Sequence, residues 1–254
     1  MFNPLDYPVL VLLASLVILS VAGWIGGSLR EKKPHLESDR EEFMFVLGGT
    51  LTLLGLIIGF TFSMAVSRYD QRKNYEEEEA NAIGTEYVRA DLLPAADAAK
   101  VRSLLRSYLA LRIRTYRSRR YRELRAMEAE TAQLQSQMWS AVTLPVKTQQ
   151  NAVTALAVEG MNDVLNTQGY TQAAWWNRIP AAAWALMLII SVFCNVLIGY
   201  SARQKRVILY LILPIALSVS LFLIADIDSP RSGVIRVHPQ NLESLAQSLD
   251  AQTP

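Results

Sequence analysis

Long apolar runs alternate with charged stretches along this chain, and they decide its class. Four runs, at 7–29, 43–66, 181–200 and 207–225, contain no Asp, Glu, Lys, Arg or His. A helix needs about 20 apolar residues to cross the hydrocarbon core of a bilayer. The sequence therefore predicts an all-α integral membrane protein with four transmembrane helices.

The charged stretch after the second run keeps its helical pattern. It reads SRYDQRKNYEEEEANAIGTEYVRADLL, which contains no proline and has Gly84 as its first glycine. Because proline and glycine are the usual helix breakers, we expect one helix to continue from the second run at least through 66–83. Its charged half cannot stay inside the bilayer.

Residues 67–178 have the pattern of an extramembrane helical bundle. Apolar residues recur there at spacings of three and four, which is typical of amphipathic helices. The three stripes are Val101, Leu104, Leu105, Tyr108 and Leu109; Leu124, Met127, Thr131, Leu134, Met138 and Ala141; and Val153, Leu156, Ala157, Met161, Val164 and Leu165. Pro94, Pro145 and Gly169 are expected to mark helix boundaries.

The domain organisation follows from these patterns. We expect the first two transmembrane helices in 1–66, the helical domain in 67–178, the last two transmembrane helices in 179–226, and a polar C-terminal tail in 227–254. Trp175, Trp176 and Arg178, just before the third run, are typical of an interfacial membrane anchor.

Composition narrows the partners. Lys and Arg number 25 against 23 Asp and Glu, a net charge of +2, which favours neither a nucleic-acid partner nor a strongly polyanionic one. The partners we expect are membrane lipids, small ions and further copies of the chain. The single cysteine, Cys194, lies inside the third run and excludes a disulfide within one chain.

Small or hydroxylated residues form one stripe along the second run. They are Gly48, Thr52, Gly55, Gly59 and Ser63, spaced by four, three, four and four. Such a stripe lets another helix approach closely, and it can also line a pore. Close helix packing is the commoner use, and the two uses can hold at different depths.

Arginine is concentrated in the helical domain between Arg102 and Arg125. Five of these residues are candidates for an anion vestibule: Arg112, Arg114, Arg117, Arg119 and Arg120. The alternative, which ordinary basic helices favour, is that they are solvated or pair with the glutamates at 76–79.

The tail after the fourth run carries a second candidate motif. Its residues are Asp226, Asp228, Pro230, Arg231, Gly233 and Arg236. Two carboxylates could ligate calcium, but such sites gather six or more oxygens and the local sequence offers few. Pairing of the carboxylates with Arg68, Arg231 or Arg236 is the favoured alternative, and no metal site is predicted.

Two stretches, GFTFSMAVSRYDQRKNYEEEEANAIGTEYVRADLLP and DIDSPRSGVIRVHPQNL, resemble the bestrophin-like domain family of bacterial membrane proteins. The matching positions are Gly59, Phe60, Ser63, Tyr69, Glu79, Ala80, Asn81, Ile83, Gly84, Thr85, Leu92, Asp228, Pro230, Gly233, Arg236, Val237 and Pro239. Bestrophins are pentameric anion channels whose second span lines the pore. The resemblance therefore implies an oligomeric anion channel in a bacterial inner membrane.

The chemistry of the runs also favours a passive function. A coupled transporter normally keeps an ionisable residue within its spans, whereas a channel can select with backbone dipoles, hydroxyls and a narrow constriction. Ser63 and Ser67 lack a nearby histidine, and no phosphate loop or metal spacing occurs, so we predict no enzyme and no cofactor. The alternative function is a membrane-anchored interaction or sensory scaffold without a pore.

Overall fold

The computed structural model of the chain describes residues 4–32, 38–148, 151–201 and 207–251. The described residues form α-helices joined by short turns and contain no strand. The helices are α1 (Pro8–Lys32), α2 (Ser38–Arg89), α3 (Ala95–Arg117), α4 (Tyr121–Thr148), α5 (Ala152–Trp176), α6 (Ala181–Ser201), α7 (Val207–Asp228) and α8 (Gln240–Ala251).

The chain divides into two compact units. The first, here called the membrane unit, contains Met1–Tyr69 and Arg178–Arg236, and the second, the helical unit, contains Asp70–Asn177 and Val237–Pro254. Among the described residues, four helices are long and apolar enough to cross a membrane. The predicted all-α membrane fold is confirmed.

The stretch 227–254, predicted as one polar tail, is shared between the units. The end of α7 and the turn after it belong to the membrane unit, whereas α8 belongs to the helical unit. The reason is that α8 is amphipathic and buries Leu242 and Leu249.

The predicted continuity of the second transmembrane helix is confirmed, because α2 runs unbroken for 52 residues. Pro94 lies immediately before α3, as expected. Pro145 and Gly169, however, lie inside α4 and α5, so their assignment as boundaries was wrong. Pro145 lies in the last turn of α4, so the hydrogen bond it removes and any kink it causes affect only the end of that helix.

The core of the helical unit is built from the predicted stripes. Val101, Leu105 and Tyr108 of α3 are fully buried, and they share one cluster with Met138 of α4 and Met161 of α5. Burying side chains of this size stabilises a fold by about 1.5–3 kcal/mol each.

In the membrane unit, α1 and α6 approach each other through glycine. A methyl group at Gly199 would lie 2.0 Å from the carbonyl oxygen of Gly23, and one at Gly26 would lie 2.0 Å from that of Val196. Only glycine lets two helix backbones approach this closely. Among the described residues, these glycines bring two helix backbones together, whereas a methyl group at Gly48, Gly55 or Gly59 of α2 would meet nothing within 4 Å.

Replacing Gly199 with Ala should therefore destabilise the membrane unit. The added methyl would force α1 and α6 apart at a cost of about 1–3 kcal/mol, as overpacking usually does. Thermal unfolding of the detergent-solubilised protein measures this. Gly49→Ala in α2 is the matched control, since no described residue lies within 4 Å of its added methyl. Equal melting temperatures for the two variants would contradict the close approach.

Candidate functional site

The small-residue stripe of α2 is bare. Gly48, Thr52, Gly55, Gly59 and Ser63 are all exposed in the single chain. Among the described residues, nothing lies within 4 Å of a methyl group placed on any of the three glycines. The Thr52 hydroxyl donates to the carbonyl oxygen of Gly48 at 2.9 Å, so it is satisfied within the helix.

A different face of α2 packs inside the membrane unit. Leu54 lies in a cluster with Leu19 and Cys194, and Ala65 lies in a second cluster with Met187 and Ile224. Leu54 and Ala65 are eleven residues apart, or about three turns, which places them on one side of the helix. The stripe lies off this packed side, and the described residues of the chain leave it open.

Four of the five predicted vestibule arginines have carboxylate partners. Arg112 is buried against Glu79, whereas Arg119 is exposed. The other pairs are Arg114 with Glu130 at 3.8 Å, Arg117 with Glu243 at 2.8 Å, and Arg120 with Glu123 at 3.2 Å. The alternative raised from the sequence, pairing with the 76–79 glutamates, therefore describes Arg112.

The Glu79 carboxylate lies at the centre of a buried hydrogen-bond cluster in the helical unit. Both of its carboxylate oxygens accept from Arg112, and one also accepts from the Tyr116 and Thr171 hydroxyls at 3.3 Å each. Burial alone would lower the pKa of Arg112, but the Glu79 carboxylate raises it above its ordinary value. The guanidinium therefore stays charged, and its Cζ atom lies over the rings of Tyr116 and Trp175, at 5.7 Å and 5.8 Å from their centroids.

Arg72 and Glu76 lie on the same face of α2, and each binds backbone groups at the end of another helix. The Arg72 guanidinium donates to the carbonyl oxygens of Ala174 at 3.2 Å and Asn177 at 3.3 Å, where α5 ends. Glu76 accepts from the backbone N–H groups of Asn241 and Leu242 at 3.0 Å each, where α8 begins. A cation at a helix C-terminus and an anion at an N-terminus are both favourable.

The tail motif builds a turn at the end of α7. The Asp226 carboxylate accepts from the backbone N–H groups of Val234 and Ile235 at 2.8 Å each. A methyl group at Gly233 would lie 2.3 Å from the Asp226 carbonyl oxygen, so the turn requires glycine. Asp226 thus serves as an acceptor for backbone amides.

Asp228 is the centre of a separate ion-pair cluster. Its carboxylate pairs with Arg178 at 3.0 Å and with Arg68 at 3.6 Å, and it accepts from the backbone N–H of Ile179. Arg178 also pairs with Asp6 at 2.7 Å. The pairing of Asp228 with Arg68 agrees with the alternative favoured from the sequence. Pro230, Arg231 and Arg236 are half-buried.

Trp175 is not an interfacial anchor, which corrects the expectation from the sequence. Its ring is 9% exposed and packs edge-on against Tyr116, with 5.0 Å between the ring centroids. Trp176, its neighbour in sequence, is 73% exposed. Successive helical residues point about 100° apart, and here Trp175 faces the core of the helical unit whereas Trp176 faces away from it.

Sequence reasoning missed the buried charged face of α2. Arg72, Glu76, Glu79 and Glu86 are buried, whereas Glu77 and Glu78 are exposed. The signal was present: these four charges follow one another at spacings of four, three and seven, and Ile83 and Ala90 occupy the same stripe. When composition alone is considered, a buried helix face made of charged residues looks the same as a solvent-exposed face.

The sequence profile of the bestrophin-like domain matches residues 9–242. The chain belongs to the bestrophin-like domain family. Two crystal structures of a bacterial bestrophin homologue from Klebsiella pneumoniae superpose on this bestrophin-like chain, one of them a point variant. The variant gives a TM-score of 0.66 at 14% identity, covering 97% of this chain and 99% of the other. The second gives 0.64 at 16% identity, with the same coverage.

A further crystal structure, of a membrane protein, gives a TM-score of 0.64 at 15% identity and covers 97% of each chain. At such identities the likeness establishes the fold alone. Comparison with curated proteins gives no match.

Breaking the Glu79–Arg112 pair should destabilise the helical unit. Arg112→Met would leave a carboxylate buried without its cation, which typically costs about 3–5 kcal/mol. Chemical denaturation of the purified protein measures the loss. The double variant Glu79→Gln with Arg112→Met should lose less than the sum of the two single losses, because neither charge is then left unpaired.

The control for this cycle is Glu78→Gln, an exposed glutamate next to Glu79. It should change the free energy of unfolding by less than about 0.5 kcal/mol. Strictly additive losses in the double variant would show that the two charges do not interact.

Gly233→Ala should disrupt the turn after α7, because its methyl would clash with the backbone of Asp226. We expect a loss of about 1–3 kcal/mol, measured as a lower melting temperature. Ser232→Ala, at the exposed neighbouring position, is the control and should melt like the unmodified protein. A Gly233→Ala protein as stable as that control would be incompatible with the close approach.

Proposed function

We propose that several copies of this bestrophin-like protein assemble around α2 and pass small ions passively across a bacterial inner membrane. The observation that carries the proposal is the bare stripe of Gly48, Thr52, Gly55, Gly59 and Ser63 on a membrane-crossing helix. Small residues let helices of neighbouring copies approach closely, and exposed backbone and hydroxyl groups can line a narrow path. Membership of the bestrophin-like family supports the same function.

Passive flow fits the charge distribution of the membrane unit. The four apolar runs contain no Asp, Glu, Lys, Arg or His, the side chains that coupled transporters normally use to bind and release protons. The carboxylates that follow the fourth run are engaged by backbone amides and arginines. We therefore propose no proton relay through the spans.

Anions remain the proposed ion class, and the family resemblance is what supports them. The vestibule arginines no longer add support, since Arg112, Arg114, Arg117 and Arg120 have carboxylate partners. Glu77 and Glu78, exposed on the extramembrane half of α2, favour cations instead.

Purified protein in liposomes tests the channel. A salt gradient should drive an ion flux above that of empty vesicles, and the sign of the reversal potential identifies the permeant ion. Gly55→Leu places a bulky side chain on the stripe and should lower the flux on the order of tenfold, by narrowing the path or by separating the copies. Gly49→Leu is the matched control, because Gly49 is an exposed glycine on the same helix but off the stripe.

Flux equal to that of empty vesicles, from an assembled and folded protein, would exclude the channel. The anchored interaction scaffold would then be the better description. A cation-selective reversal potential would keep the channel and overturn only the anion preference.

A further inference from the structure

Glu86 is the exception on the buried face of α2. Arg72, Glu76 and Glu79 all form hydrogen bonds with other helices, but neither carboxyl oxygen of Glu86 has a hydrogen-bond partner among the described residues. Its side chain is nevertheless 0% exposed. A buried carboxyl group without hydrogen-bond partners costs free energy, and the cost is far larger for the charged form than for the protonated one.

Glu86 faces α5 at a glycine. A methyl group at Gly160 would lie 2.2 Å from the Oε2 atom of Glu86 and 2.8 Å from the Nη1 atom of Arg89. The carboxyl and the guanidinium therefore converge on the same open side of Gly160. Any larger residue at 160 would displace both.

Arg89 also has a bond to α5. Its Nη1 donates to the carbonyl oxygen of Leu156 at 3.4 Å, which is a long hydrogen bond. The charged groups that act on Glu86 are Arg89, three residues later on α2, and Asp163 on α5. Arg89 thus has two competing acceptors within reach: a backbone carbonyl of α5 and the Glu86 carboxyl.

The charge of Glu86 decides which acceptor is better. Burial raises the pKa of Glu86 to about 8, with Arg89 lowering it and Asp163 raising it by smaller amounts. Below that pH the carboxyl holds a proton and attracts Arg89 weakly. Above it the proton passes to water, and the buried carboxylate requires the guanidinium as a counter-charge.

We propose that Glu86, Arg89 and Gly160 form a proton-operated latch between α2 and α5. With Glu86 protonated, Arg89 holds the Leu156 carbonyl and ties α2 to α5. When the proton leaves, the guanidinium turns to the carboxylate and the tie to Leu156 is released. Because α2 carries the bare stripe, the latch regulates the ion path, and in this respect it rests on the proposed function.

Infrared spectroscopy of the purified protein tests the latch without any flux. The carbonyl band of a protonated carboxylic acid should disappear between about pH 6 and about pH 10, where ordinary carboxyls are already ionised. Glu86→Gln should remove this titrating band, whereas Glu78→Gln should leave it in place. A band that survives Glu86→Gln, or no titrating band at all, would overturn the proposal.

Two charge variants keep Glu86 in place and shift its titration in opposite directions. Arg89→Gln removes the neighbouring cation and should raise the midpoint of the infrared titration. Asp163→Asn, at an exposed position, removes an anion and should lower it. Midpoints that stay fixed in both variants would show that these charges do not act on Glu86.

Flux through liposomes then tests the regulation. Flux through the unmodified protein should change several-fold across the same pH range, whereas Glu86→Gln should stay at the low-pH level and Arg89→Gln should not respond to pH. Flux that is present but follows one pH profile in all three proteins would overturn the latch and leave the channel intact. Absence of flux at every pH, with the infrared titration as expected, would overturn the channel and leave the proton-binding latch.

Discussion

The helical unit depends on the rule that a buried charge must have a partner. Arg72, Glu76 and Glu79 lie on one face of α2, none more than 2% exposed. An unpaired charge in such a site costs several kcal/mol, which is comparable to the whole stability of a domain. The partners are the end of α5, the start of α8 and Arg112 of α3. The need to pair these three charges of α2 therefore fixes the positions of α3, α5 and α8.

The membrane unit solves a different problem. Lipid is as apolar as a leucine side chain, so helices there gain little from hiding apolar surface and must gain from close contact. Gly23, Gly26 and Gly199 provide that contact between α1 and α6. At the polar end of the unit, the Asp226 carboxylate accepts from backbone N–H groups of the turn after α7, and the Asp228 carboxylate accepts from the N–H of Ile179, just before α6, and pairs with Arg178.

The sequence was sufficient for the fold and only partly sufficient for the site. Uninterrupted apolar runs and three- and four-residue spacings have one physical meaning each, so the four membrane helices and the stripes around Val101 and Met161 were predictable. Partners were not. Whether Arg112 is solvated or buried depends on Glu79, 33 residues earlier, and neither residue's local sequence reveals the other. Likewise, nothing in the local sequence shows that Trp175 faces the core and Trp176 faces outward.

The two halves of α2 are packed on other faces than its stripe, which has no partner among the described residues. A helix of 52 residues is about 78 Å long, more than twice the roughly 30 Å of a bilayer's hydrocarbon core. Its packed faces are accounted for within the chain: Leu54 and Ala65 by apolar clusters, and the charged face by α3, α5 and α8. The three stripe glycines cost about 1 kcal/mol each in helix propensity relative to alanine. No described residue of the chain contacts the space that they leave, so the described residues supply no contact that offsets this cost. A neighbouring copy of the chain, or a path for ions along the stripe, would provide such a contact.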